Sequence, residues 1–279
     1  MRSDNPETTR RLNHFLFTGW PKSMSFRQSL RFWSNLPRVL PQALHVRKTA
    51  PRFAGAGGVE FGIALADGSQ ASIETLANLR AEKRLLVFGD SVVAGVGASS
   101  HALGLTGQCA SALAQALAQN LAWHAVGKIG IESTQLEAEL WPKVPKDQRW
   151  DWVLISIGVN DITGLTRRTR FHKALTRQLL QIRELAPQAV VLLCGLPPVH
   201  GFPLLPKPLR TVFAMRARML DQLLQKLARE HARVLFLPVK FSTHPEAFAA
   251  DGFHPSEASY ARFGKAAAAA FFAHETPIA

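Results

Sequence analysis

Apolar residues gather in five short, nearly continuous runs, Leu85–Phe88, Leu121–Val126, Trp152–Ile157, Val190–Cys194 and Val234–Leu237. Runs of this length, bounded by turn residues, read as strands buried on both faces. Between them the pattern changes period. Phe171, Leu175, Leu179, Ile182 and Leu185 recur at offsets of three and four, as do Val212, Met215, Met219, Leu223 and Leu227, and each set is the inward stripe of a helix laid on a sheet. Strands alternating with helices predict an α/β fold, a three-layer α/β/α sandwich around a five-stranded parallel sheet. Right-handed crossovers favour the flavodoxin-like order 2-1-3-4-5.

Ahead of the first run the chain is less regular. Residues 1–58 carry prolines at 6, 21, 37, 41 and 51 and the glycines Gly55, Gly57 and Gly58, which predict an arm of short helices. Residues 59–83 read as a connecting segment, with a hairpin turn at Asp67-Gly68. Residues 84–279 form the main domain, closing in an alanine-rich helix at 266–270.

With 47% apolar residues, the 279-residue chain can bury a full core. Its two cysteines, Cys109 and Cys194, have neither the paired spacing of a zinc site nor the density of a disulfide scaffold, and read as buried thiols. Charge is the unusual feature. The net value is +13, and residues 1–52 hold ten Lys/Arg against Asp4 and Glu7. Interleaved with Phe15, Phe17, Trp20, Phe26, Phe32 and Trp33, these cations suit either an anionic membrane surface or a solvated basic face. No base-reading module accompanies them, so nucleic acid is not an expected partner. The sequence shows no signal peptide and no run long enough to span a bilayer, so a cytoplasmic location is expected, with the arm available to a membrane surface.

The chemistry sits at the strand ends. In open α/β sheets the ligand crevice lies beyond the carboxyl ends of the strands. The first predicted strand ends in Gly89-Asp90-Ser91, the third in Gly158-Val159-Asn160-Asp161, and the last loop reads Asp251-Gly252-Phe253-His254-Pro255. A serine nucleophile needs a base within hydrogen-bond reach, a group to orient that base, and donors for the developing oxyanion. Order 2-1-3-4-5 sets the strand ends before Gly130, Ser91 and Asn160 side by side. The histidine loop must reach back roughly 15 Å across the sheet. Residues 239–250 supply that length at up to ~3.3 Å each. Asp90 and Asp161 read as loop-holding carboxylates.

These blocks resemble the SGNH hydrolases, the GDSL-type esterase and lipase superfamily, over about residues 84–273. The Gly-Asp-Ser, Gly-x-Asn-Asp and Asp-x-x-His patterns match without departure. The resemblance implies Ser91 as nucleophile, His254 as base, Asp251 as its orienting carboxylate, and an oxyanion hole from Ser91, Gly130 and Asn160. The glycine block is the weakest match, and Gly127 competes with Gly130 for that role. No Gly-x-Ser-x-Gly elbow surrounds Ser91, against the α/β-hydrolase fold. No metal or organic cofactor is implied.

The segment from Leu196 to Pro208, apolar and stiffened by proline, follows the fourth strand. It reads as an acyl-contacting wall carrying Leu196, Pro197 and Phe202, or as a rigid connector. The leading expectation is a serine esterase acting on a small-molecule or lipid carboxylic ester with a short to medium acyl chain. An acyltransferase or an O-acetyl esterase working on a sugar or lipid hydroxyl would use the same residues. A non-catalytic binding protein on a hydrolase fold is the alternative from another class.

Overall fold

A computed structural model describes residues 26–49, 53–240 and 242–275. Its sheet has six strands: β1 (Phe61–Ala64), β2 (Lys83–Gly89), β3 (Leu121–Gly127), β4 (Trp152–Ser156), β5 (Val190–Cys194) and β6 (Val234–Leu237). They lie in the order β1-β3-β2-β4-β5-β6. The five predicted strands are all present, parallel, and in the expected 2-1-3-4-5 arrangement. The expectation of a purely parallel five-stranded sheet is corrected by β1, which pairs antiparallel with β3 in register Phe61 to His124 through Ala64 to Leu121. The turn at Asp67-Gly68 follows it: Gly68 N–H donates to the Leu65 carbonyl, and Ala64 bridges to Gln70.

Five longer helices cover the sheet: α1 (Phe26–Thr49), α2 (Leu105–Leu117), α3 (Arg168–Leu185), α4 (Lys207–Glu230) and α5 (Glu257–Glu275). Alternation along the central strands divides the core in two. Leu86, Phe88, Val153, Ile155, Val191 and Leu193 face α3 and α4, whereas Leu85, Val87, Trp152, Leu154, Val190 and Leu192 face α2 and α5. Strands buried on both faces have no polar alternation, which is why they read as continuous apolar runs. The thiols of Cys109 and Cys194 are free and buried in the second of these layers.

The amino-terminal arm differs from its expected string of short helices. Helix α1 is a single element of 24 residues that continues through Pro37 and Pro41. An interior proline costs about 3 kcal/mol in an isolated helix. Here Phe32 and Val39 are buried against the α4 side of the core, with Leu36, Ala43 and Val46 packed beside them, and that face holds the helix together. Phe32 is therefore a core residue, not a member of a surface-binding set. Phe15, Phe17 and Trp20 lie outside the described residues.

Candidate active site

Strand β2 ends at Gly89 and the chain turns at once. The Asp90 N–H donates to the Ser156 carbonyl at 3.0 Å, fixing the turn to β4, and the Asp90 carboxylate accepts the Val92 N–H at 3.1 Å. The Val93 and Ala94 N–H groups converge on the Asp90 carbonyl. Ser91 is held at the carboxyl edge by this turn, and its own N–H has no partner among the described residues. Burial, countered by the Val92 hydrogen bond and reinforced by the nearby Asp161 charge, pushes the Asp90 carboxyl up to about 7. Asp90 acts on the loop, as its position in the sequence predicts.

The base arrives from the other end of the chain. Asp251 Oδ1 accepts the N–H groups of Phe253 and His254, both at 2.9 Å, so the carboxylate shapes the loop that carries the histidine. Its Oδ2 lies 2.5 Å from His254 Nδ1, and His254 Nε2 lies 3.0 Å from Ser91 Oγ. Burial tends to raise the Asp251 carboxyl, but hydrogen bonds from the His254 ring and from the two backbone N–H groups outweigh it, and the net shift is downward. An ionised carboxylate only accepts, so Nδ1 is the protonated nitrogen. In the neutral ring Nε2 then faces Ser91 as an acceptor.

The loops after β3 and β4 complete the edge. The Asn160 side chain, in a helical turn at Val159–Thr163, donates from Nδ2 to the Ile131 carbonyl at 2.9 Å. Asp161 is fully buried and accepts the Ser133 N–H at 3.0 Å and its hydroxyl at 2.6 Å, clamping the same two loops. Gly130 is exposed, has φ +77°, and its N–H has no partner among the described residues. Gly127 is placed differently: a Cβ there would lie 2.3 Å from Ala94 N, so its part is to let β3 pass close to the nucleophile turn. Ser91 and Gly130 thus each keep an N–H without a partner among the described residues.

A pocket adjoins Ser91 and His254. Leu196, Pro197 and Phe202, all expected from sequence, are among its walls. Val239, Phe253 and Phe263, not expected, join them. Phe202 stacks edge-on against Phe253 at 5.0 Å and against Phe248 at 5.5 Å, and Phe253 in turn meets the His254 ring at 5.2 Å. The pocket wall therefore also braces the base. Asp221 on α4 is another residue the sequence reading passed over: its Oδ1 accepts the Leu196 N–H at 2.7 Å at the start of that wall. Burial pushes its carboxyl up to about 7, against the lowering effect of that hydrogen bond. The sequence signal was weak, since Asp221 lies off the predicted apolar stripe, beside Ala217 and Leu224, which the structure buries.

The class of protein is set by this arrangement, a doubly wound α/β sandwich with a serine, a histidine and an aspartate in hydrogen-bonded sequence at its carboxyl edge. The profile of the GDSL-like lipase/acylhydrolase family matches residues 87–262, and the chain belongs to that family. Solved structures share the fold. A family two carbohydrate esterase from Clostridium thermocellum, in complex with cellohexaose, aligns with TM-score 0.55 at 16% identity over 71% of this chain and 65% of its own. This chain thus spans just under two thirds of that esterase. A lipase from a goat rumen metagenome gives TM-score 0.51 at 20% identity, covering 67% of this chain and 97% of the lipase. The lipase/acylhydrolase from Enterococcus faecalis gives 0.50 at 19%, with 69% and 96% covered. No curated protein matches the chain.

Proposed function

We propose that the chain is a serine esterase that hydrolyses carboxylic esters of short to medium acyl chain through an acyl-enzyme. The observation that carries this reading is the contact of His254 Nε2 with Ser91 Oγ at 3.0 Å while Nδ1 sits 2.5 Å from Asp251. His254 takes the Ser91 proton as Oγ attacks the ester carbonyl, and Asp251 holds the ring tautomer and stabilises the imidazolium. The N–H groups of Ser91 and Gly130 and the Nδ2 of Asn160 receive the oxyanion. Collapse of the tetrahedral intermediate expels the alcohol, which takes the proton from His254. Water then attacks the acyl-Ser91 bond with His254 again as base, releasing the acid. The apolar walls Leu196, Pro197 and Phe202 support an acyl chain as the group accommodated.

The test is a screen of purified protein over aryl esters graded by acyl length, with Ser91→Ala as the blank. Wild-type turnover should favour short and medium chains, and the variant should lose about 10⁴-fold or more in kcat. Undiminished turnover by Ser91→Ala removes the nucleophile and the reading with it.

A further inference from the structure

Helix α1 has two apolar faces and uses only one of them in the fold. Phe32 and Val39 point into the core. On another side, Leu30, Trp33, Leu40 and Leu44 are 59%, 52%, 48% and 51% exposed, and Pro37 between them is exposed as well. Positions 30, 33, 37, 40 and 44 alternate offsets of three and four, so they form one continuous stripe along the helix. Scattered exposed leucines need no explanation, but an aligned stripe crowned by a half-exposed tryptophan marks a contact surface.

The charge around the stripe selects its occupant. Helix α1 contains Arg27, Arg31, Arg38, Arg47 and Lys48 and no acidic residue. Arg38 and Lys48 are exposed. A second copy of this chain would bring the same +13 charge to the contact and be repelled. A polyanion without apolar substance would leave the stripe in water. A bilayer of anionic lipid answers both features, its phosphates taking the cations and its acyl boundary the apolar side chains. Among the described residues no helix is long and apolar enough to cross a membrane, which leaves α1 lying in the plane of the surface.

We infer that the outer face of α1 docks the protein on an anionic lipid surface. The location suits a lipid-facing enzyme. The carboxyl half of α1, at Pro41, His45 and Val46, borders a groove whose opposite side is Pro203–Pro206, and the neighbouring Phe202 lines the pocket beside Ser91. The Leu204 N–H donates to the Gly252 carbonyl in the loop of the base, so docking helix, pocket wall and histidine loop adjoin one another. The inference concerns binding alone and stands or falls independently of the role of Ser91.

The experiment is sedimentation of the full chain, carried as Ser91→Ala to silence turnover, with phosphatidylcholine vesicles and with vesicles containing about one third phosphatidylglycerol. Binding to the anionic vesicles is expected, with little to phosphatidylcholine alone. The combined variant Leu30→Ser, Leu40→Ser, Leu44→Ser should melt as the parent does and bind about tenfold more weakly or worse. No binding to anionic vesicles overturns the inference, and so does equal binding by a folded triple variant. A parent that light scattering shows as a dimer, and that the triple variant turns into a monomer, assigns the stripe to a second copy instead.

Discussion

The side-chain amide of Asn160 is tied to the carbonyl of Ile131 at 2.9 Å, joining the loop after β4 to the loop after β3. One amide hydrogen is occupied there, and on the proposed mechanism the other receives the oxyanion. Asn160→Ala should lower kcat on an aryl ester about 10²- to 10³-fold, with a much smaller change in KM, because the lost bond forms mainly in the transition state. Steady-state kinetics decide it, and an unchanged kcat withdraws Asn160 from the oxyanion hole.

Asp251 offers a sharper test of the base. Its carboxyl is shifted downward, so it stays charged and keeps the proton on His254 Nδ1. Asn in its place fills the same space while permitting the opposite tautomer, with Nε2 protonated and unable to accept from Ser91. Asp251→Asn should reduce kcat about 10⁴-fold. A variant within tenfold of wild type would show that His254 needs no orienting carboxylate.

Gly130, expected from sequence as the oxyanion glycine, and Gly127, its competitor, should respond differently to alanine. At Gly127 the added carbon meets backbone atoms on the nucleophile turn, Ala94 N at 2.3 Å and Val93 C at 2.7 Å. Overpacking against backbone there should cost about 1–3 kcal/mol or more and displace Ser91. At Gly130 the added carbon meets nothing within 4 Å, and only φ +77° is strained, for about 1–2 kcal/mol. Gly130→Ala should therefore keep its N–H and most of its activity, while Gly127→Ala loses both stability and turnover. Thermal unfolding and kcat measured on the pair check the contrast, and the reverse ranking would show that the close approach of Gly127 to Ala94 does not hold the nucleophile turn.

The strand ends were legible because each carries its chemistry in a short local string: Ser91 after β2, Asn160 after β4, and Asp251 three residues before His254. What escaped was set by tertiary context. The four residues of β1 announce an apolar stretch, but only the edge offered by β3 decides that they pair antiparallel. Pro37 and Pro41 argue locally for broken helices, and the burial of Phe32 and Val39 overrides them. Asp221 went unread because it lies off the stripe of Val212, Met215, Met219, Leu223 and Leu227 that marks its helix in the sequence, and its purpose shows only once Leu196 N–H is seen to point at it.

That buried acid makes the last prediction, which concerns stability and not turnover. The Asp221 carboxyl is pushed up to about 7 in the folded chain from an ordinary value of 3.8, so between those values the folded state holds a proton that the unfolded state has released. The stabilisation from that proton is complete below the unfolded value, declines as pH rises, and is gone above about 7. Asp221→Asn keeps an oxygen for the Leu196 N–H and removes the titration. The variant should be more stable than wild type near pH 8, by up to about 4 kcal/mol, and should lose that advantage toward pH 4. Urea unfolding across this range measures the difference. A gap between variant and wild type that stays constant with pH would show that Asp221 is ionised in the fold throughout, held by the Leu196 amide against its burial.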